Sequence, residues 1–407
     1  MREVRVLSVY EGFFSGGARI LHSDVVRGLH GPAQRHSVLS LRGEVHREAT
    51  RQRMEDDACY RALTGAGVPV SALRGAVAAV PDGPGDHPAA PAGAHPEVHT
   101  EADLAAATRA AAGADVVLSL KEQPLSLLNH PRMPFRPVVV CLHRSDPHNQ
   151  GGALEALLAG IASGRVRACV CCAESTRDAY AAAGVPAGLL HVIPNGVDLE
   201  RFRPDPLRRA RVRADHGIAP DAPVVVFAAR WDAMKNVPLF LAAALRFLRE
   251  QPAGRVLMCG AGMTEHNDGL TAAIAEVFAG EPQLARRIGL LGVRPDMEAV
   301  YAAGDVVSLT SSWGEAAPLC LIEGMMCGAV PVTTAVGDAA ALVDGRGLVT
   351  PPDADAIAAA WSTALARRTD FAPALGLARE VFSRTRMIAA YADLITRVHA
   401  ESARAAA

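Results

Sequence analysis

Two glutamates, Glu315 and Glu323, stand eight positions apart in SSWGEAAPLCLIEGMMCGAVPVT, the stretch 311–333. Pro318 between them suits the first turn of a helix, which puts Glu315 in the loop ahead of that helix and Glu323 more than a turn inside it. At 1.5 Å per residue the eight steps span roughly 12 Å if mostly helical. Carboxylates that flank one glycosidic bond in a hydrolase stand about 5 to 9.5 Å apart, so this pair reads as two clamps on a long ligand rather than as an acid and a base. A sugar nucleotide is such a ligand, with hydroxyls on the hexose at one end and on the ribose at the other. Glu323 lies among Leu319, Leu321, Ile322, Met325 and Met326, where an ionised carboxylate needs partners; ribose hydroxyls supply them. The amides that open the helix near Pro318 and Leu319 can face a diphosphate.

Other strand-end loops carry matching chemistry. In RWDAMKNVPLF, Arg230 and Lys235 lie five apart and Asn236 is placed to cap an apolar helix. Two cations beside a helix N-terminus suit a diphosphate, because fixed charge and oriented amides add at one place. The alternative, two solvated surface charges, is disfavoured by their position after a strand. In EGFFSGGARILHSDVV, Gly16 and Gly17 either let backbone amides approach an anion or form an ordinary turn. CGAG at 259–262 suggests a dinucleotide loop, but Glu265 replaces the third glycine of GxGxxG. Gly260 and Gly262 are instead expected to allow close backbone approach to the same sugar nucleotide. His143, in VVVCLHRSD, is either structural or orients the transferred sugar or the acceptor. Lys121, Glu122, Arg144 and Asp146 occupy similar loops as secondary candidates for acceptor contacts.

These loops need a scaffold that gathers strand ends. Short β-branched or apolar runs alternate with Ala/Leu-rich helical patterns through nearly the whole chain, which predicts an α/β protein built of doubly wound parallel sheets. Strands are expected at 4–10, 36–41, 68–73, 115–120, 137–142, 168–172 and 189–193, then at 223–229, 255–259, 288–291, 305–309, 330–333 and 347–349. At 407 residues the chain exceeds one core. Two domains are predicted, 1–198 and 199–384, with a terminal helix in 385–407 placed to pack back on the first. The Pro/Gly/Ala/His-rich segment 80–100 reads as a mobile loop.

A net charge of −2 leaves no basic footprint for nucleic acid. No apolar run approaches a membrane span and no signal-peptide pattern opens the chain, so a cytoplasmic protein with at most peripheral membrane contact is expected. The eight cysteines show no zinc spacing and fall largely in apolar runs, which predicts free thiols and no metal site.

Taken together, SGGARIL at Ser15, His143, ESTRDAY at Glu174, IPNGVDLERFRP at Ile193, Arg230 with Lys235, LGVRPDMEAVYAAGDVVSLTSSWGEAAPLCLIEGMMCGAVPV from Leu291 and VGDAAALV at Val336 resemble the retaining GT-B glycosyltransferases of family 4 (glycosyl transferases group 1). The resemblance runs through most of the chain. It implies two Rossmann-like domains facing across a cleft, the second holding most of a donor such as a UDP- or GDP-hexose. It assigns Arg230 and Lys235 to the diphosphate, Glu323 to the ribose, Glu315 to the hexose, and the backbone at Val293 and Arg294 to the base. Gly16 or Gly17 falls near the diphosphate and His143 near the sugar. It also implies retention of anomeric configuration, no bound metal or cofactor, and a hydroxylated acceptor chosen by the first domain. One departure is visible: Ala316 and Ala317 follow Glu315 where the family usually has glycine and often a bulky residue, which bears on sugar choice. A nucleotide-sugar epimerase or hydrolase of the same fold, and a noncatalytic nucleotide-sugar-binding protein, are the alternative readings.

Overall fold

A computed structural model describes residues 3–13, 16–47, 50–73, 99–149 and 151–406. The chain divides into two units, Met1–Asn195 together with Thr385–Ala407, and Gly196–Arg384. The division falls at Asn195/Gly196, three residues before the boundary read from the sequence.

The first unit is built on a seven-stranded parallel sheet: β1 (Val4–Gly12), β2 (Gln34–Arg42), β5 (Val70–Ala72), β6 (Val116–Leu120), β7 (Val138–Leu142), β8 (Val166–Cys171) and β9 (Leu190–Val192). Its order is β5-β2-β1-β6-β7-β8-β9. Strands covered on both faces by crossover helices need continuous apolar sequence, and VVLSL of β6 and VVVCL of β7 are buried at every position. An antiparallel hairpin, β3 (Glu44–Arg47) with β4 (Thr50–Arg53), stands apart from the sheet; the sequence reading did not foresee it. The expected loop 80–100 lies almost wholly outside the described residues. The terminal helix is Arg384–Ala406, and Arg386 within it donates to the Pro194 carbonyl at 2.8 Å.

The second unit carries a six-stranded parallel sheet, β10 (Val224–Ala228), β11 (Arg255–Cys259), β12 (Ile288–Gly292), β13 (Val306–Leu309), β14 (Val330–Thr334) and β15 (Leu348–Thr350), in the order β12-β11-β10-β13-β14-β15. Phe240 and Phe247 of the helix Val237–Glu250 pack on Trp361 of the helix Ala354–Ala366, and the indole N–H of Trp361 donates to Ser308 Oγ at 2.9 Å. Each sheet runs outward from its first strand in one direction and then restarts beside that strand in the other. The reversals fall between β1 and β6 and between β10 and β13, and at such a reversal the connecting loops diverge and open a crevice beyond the strand ends.

Three imidazoles of the first unit are withdrawn from solvent, His22 and His36 fully buried and His143 half-buried. Burial pushes His22, His36 and His143 down to about 3, with small further effects from neighbouring imidazoles on His22 and His36 and from the Lys121 cation on His143. A group with a depressed basic pKa is neutral when folded and binds more protons when unfolded. Stability is therefore complete above the ordinary histidine value of 6.5 and declines as pH falls from there toward 3. Unfolding midpoints measured from pH 7.5 to 4.5 are expected to drop steadily; a flat profile would contradict the burial of these rings.

Candidate functional site

The loops that leave β10 and β13 flank the reversal of the second sheet. After β10 the chain passes Ala229, Arg230 and Trp231, then makes a tight turn, Ala233–Lys235, started by Asp232, whose carboxylate accepts the Met234 N–H at 2.9 Å. Arg230 Nε donates to the same carboxylate at 2.8 Å. Burial alone would raise Asp232, but the Arg230 charge and these hydrogen bonds outweigh it and hold the acid below its ordinary value. Asn236 then takes a left-handed conformation, φ 47°, and its side chain accepts from the Leu239 N–H, so it caps the helix Val237–Glu250 as the sequence predicts. The turn presents Lys235 toward the β13 loop, where its ammonium pairs with Glu315.

Glu315 is 6 % exposed. The same oxygen that meets Lys235 accepts the Ser311 hydroxyl at 2.5 Å. Its main chain is held by the loop after β14: Gly337 sits at φ 57°, where an added Cβ would stand 2.1 Å from the Glu315 carbonyl oxygen, and the Asp338 N–H donates to the Ala316 carbonyl at 2.9 Å. Ala316 is 4 % exposed, so its methyl group is packed within the protein rather than presented on the surface.

The helix after Glu315 is Leu319–Met326, and Pro318 is its cap residue in extended conformation, ψ 118°, rather than its first helical residue. Glu323 is half-buried on the fifth helical position. Tyr301, on the helix Met297–Ala303, is buried beside it; burial first, and then the Glu323 charge, hold the Tyr301 hydroxyl well above its ordinary value. Cys320 lies in the first turn, where burial pushes its thiol up to about 12 and leaves it a poor nucleophile at neutral pH.

Gly260 and Gly262 follow β11 with φ 130° and 78°. A Cβ at Gly260 would lie 2.1 Å from the Ala229 carbonyl oxygen and one at Gly262 would lie 2.7 Å from Trp231 Cβ. The expectation was backbone approach to a ligand, whereas the close approach in the structure is to the β10 loop itself, which these glycines hold in place. After β12, Val293 is 73 % exposed, and Arg294 makes a two-point contact with Asp296 at 2.8 and 2.7 Å that raises its guanidinium above the ordinary value. The Arg294 side chain is thus committed locally.

The structure therefore brings Lys235 and Glu315 into contact, with Arg230 on the same β10 loop as Lys235 and Pro318, Leu319 and Glu323 on the cap and helix that follow Glu315, all in one unit. Gly16, Gly17 and His143 belong to the other unit. Gly16 is extended, φ 168°, and caps the helix Gly17–Leu29; a Cβ there would meet nothing within 4 Å among the described residues. His143 follows β7, and its buried Nε2 has no hydrogen-bond partner among the described residues. Sequence reasoning missed Asp232, Ser311 and Gly337. Asp232 lay in plain sight between the two cations, Ser311 declares itself through a contact within the β13 loop, and Gly337 only through its contact with that loop from the one after β14.

Comparison with known proteins agrees with this architecture. Residues 222–367 match the family model described as glycosyl transferases group 1, and residues 60–201 match the one described as glycosyltransferase family 4. Similar curated proteins include a D-inositol 3-phosphate glycosyltransferase of Nocardia farcinica, 34 % identical over 200 residues, which is 46 % of this chain and 43 % of that one. A second, from Catenulispora acidiphila, is 31 % identical over 180 residues, 40 % of this chain and 39 % of that one. The matched stretches thus span less than half of these relatives. Among solved structures, Anabaena Alr3699/HepE in complex with UDP and glucose has a TM-score of 0.74 at 20 % identity over 97 % of this chain and all of that chain. Sucrose-phosphate synthase from Thermosynechococcus elongatus has 0.71 at 19 % identity over 98 % and 100 %. At these identities the likeness is one of fold. With two parallel-sheet Rossmann-like units, each overlapping a matching family model, the chain belongs to the GT-B glycosyltransferases of family 4.

Proposed function

We propose that the protein transfers a hexosyl group from a nucleotide-diphosphate sugar to an acceptor hydroxyl with retention of configuration. The observation that carries this reading is the Lys235–Glu315 pair at the β10/β13 reversal, with Arg230 on the same loop and Glu323 one helical stretch on. Lys235 and Arg230 supply positive charge for a diphosphate, Glu315 an acceptor for hexose hydroxyls, Glu323 one for the ribose, and the main chain at Val293 and Arg294 edge contacts for the base. Relatives named for inositol phosphate and a neighbour named with UDP and glucose support the same class.

Retention, freedom from metal and the acceptor are parts of the proposal. In the same-face route the acceptor oxygen bonds to the anomeric carbon as the bond from that carbon to the leaving phosphate oxygen breaks, and the acceptor proton passes to the leaving diphosphate. Negative charge grows on that diphosphate, where Lys235 and Arg230 neutralise it without reorganising. His143, with a neutral ring and an Nε2 that has no partner among the described residues, is assigned to the transferred sugar or the acceptor.

The test is to incubate the protein, with EDTA and then with Mg²⁺, with a panel of UDP-, GDP- and ADP-hexoses and candidate acceptors, inositol phosphates among them, and to read products by mass spectrometry and NMR. An α-linked product from an α-linked donor, formed in EDTA, is expected. An inverted product would overturn retention, strict dependence on Mg²⁺ would overturn metal independence, and release of free sugar or an epimerised donor with every acceptor would favour the hydrolase or epimerase reading.

Glu323→Ala is expected to raise the donor Kd about 10- to 100-fold, the worth of a lost charged hydrogen-bond pair, and to change kcat little at saturating donor. Titration of wild type and variant with the best donor checks this; equal affinities would remove Glu323 from the nucleotide site.

A further inference from the structure

Thr310, Ser311 and Ser312 form a run of hydroxyls that joins the β13 loop to the turn bearing Lys235. Thr310 Oγ1 donates to the Lys235 carbonyl at 3.0 Å. The Ser312 N–H donates to the Met234 carbonyl at 2.9 Å, and its hydroxyl accepts from Asn236 Nδ2 at 3.0 Å. Those contacts fix backbone and cap. Ser311 differs, because its hydroxyl goes to the charged pair itself, donating to the Glu315 oxygen that also meets the Lys235 ammonium. Ser311 is 1 % exposed, and its own carbonyl accepts the Thr334 hydroxyl at 2.7 Å, so the main chain that carries the donor is anchored to β14.

We propose that Ser311 is a positioning residue for the transfer reaction: it fixes the Glu315 carboxylate, and through it the Lys235 ammonium, at the point where the leaving diphosphate gathers charge. The inference rests on the functional reading above. A lysine side chain has four rotatable bonds and a single point charge, so a carboxylate free to rotate leaves the ammonium only loosely placed. A second donor on the same carboxylate oxygen removes that freedom. Preorganised charge stabilises a transition state only as far as its position is fixed beforehand, and residues supporting a site from behind set that position.

Ser311→Ala removes one hydroxyl from a buried site, and Ser311→Thr keeps it. With the best donor and acceptor, Ser311→Ala is expected to lower kcat about tenfold, the worth of a hydrogen bond to a charged group, while the Kd for the free nucleoside diphosphate stays within about twofold because ground-state binding is not the step affected. Ser311→Thr is expected to recover most of the loss. In a Lys235→Ala background, Ser311→Ala is expected to cost nothing more, since its effect is routed through Lys235. Wild-type kcat in Ser311→Ala, equal losses in the alanine and threonine variants, a loss carried entirely by Kd, or a full additional loss in the Lys235→Ala background would each overturn the proposal. An active wild type with any of these results leaves the functional reading standing. A wild type that turns over no nucleotide sugar overturns that reading and this inference with it.

Discussion

Lys235→Ala is expected to lower kcat by about 10²- to 10³-fold, the loss measured when one preorganised donor to a developing oxyanion is removed. Two features make this a large effect. The ammonium is held largely out of solvent, its side chain 14 % exposed, so its charge is weakly screened. Its placement is also over-determined, by the Asn236 cap behind it, the Thr310 bond to its carbonyl and the contact at its tip with Glu315, which Ser311 holds in turn. Removing it also takes the Lys235 charge away from Glu315, and a buried carboxylate no longer offset by that ammonium repels a diphosphate. Losses from Lys235→Ala and Glu315→Ala are therefore expected to be strongly non-additive. Initial rates at saturating donor for wild type, both single variants and the double variant check this. A Lys235→Ala enzyme with wild-type turnover would remove the lysine from the chemistry.

The largest expected loss of stability lies at the other end of the same sheet. Asp305, just before β13, is 5 % exposed and receives Arg209 at 2.7 Å, Arg213 at 2.8 Å, Arg368 at 2.6 Å and the Val224 N–H at 2.9 Å. Arg213 is 2 % exposed and donates as well to the carbonyls of Ala219, Pro220, Ala222 and Ala303. This one carboxylate ties the starts of β10 and β13 to the helices Pro206–Asp215 and Arg368–Val381. Asp305→Ala leaves the Arg213 charge buried without a counter-ion, a change that costs about 3 to 5 kcal/mol. For a unit of this size that is a fall in Tm of about 10 °C. Asp305→Asn, which keeps an acceptor, is expected to lose less. Thermal unfolding followed by circular dichroism checks both, and a Tm within about 2 °C of wild type for Asp305→Ala would contradict the assignment of this hub. Because the hub is remote from Lys235 and Glu315, the folded variant should bind donor normally.

Much of the architecture was legible because buried parallel strands need unbroken apolar sequence. The runs at 137–142 and 223–229 predicted β7 and β10 to within a residue at each end, and Asn236 declared its capping role by standing ahead of VPLF. Pro318 showed the weakness of local rules. Proline tolerates both the first helical position and the residue before it, and the buried packing of the 315–318 loop settles on the latter. The hairpin of β3 and β4 was missed because its eight residues, EVHR and TRQR, lack an apolar face. Glu315 and Glu323 announced themselves through spacing, but the pairing of Glu315 with Lys235 joins residues 80 positions apart and depends on β10 and β13 being neighbours. Alternating patterns predict strands and helices without saying which strands adjoin. The same limit hid Gly337 and the Asp305 hub, whose roles come from contacts between distant stretches of chain, while Ser311 reaches Glu315 within one loop and was hidden because sequence does not show where a loop hydroxyl points. Gly260 and Gly262 pack closely against the β10 loop, a contact between neighbouring strand ends that residue type alone does not reveal.

The most direct measurement is calorimetric titration of the protein with nucleoside diphosphates, their matching monophosphates and the corresponding nucleotide hexoses. One nucleoside diphosphate family is expected to bind saturably at a single site, at least about tenfold more tightly than its monophosphate, as a site with two cations requires, and Glu323→Ala is expected to weaken that binding. Absence of binding by every nucleoside diphosphate and nucleotide hexose, or binding indifferent to both the second phosphate and Glu323, would contradict the assignment of the β10/β13 crevice as a nucleotide-sugar site.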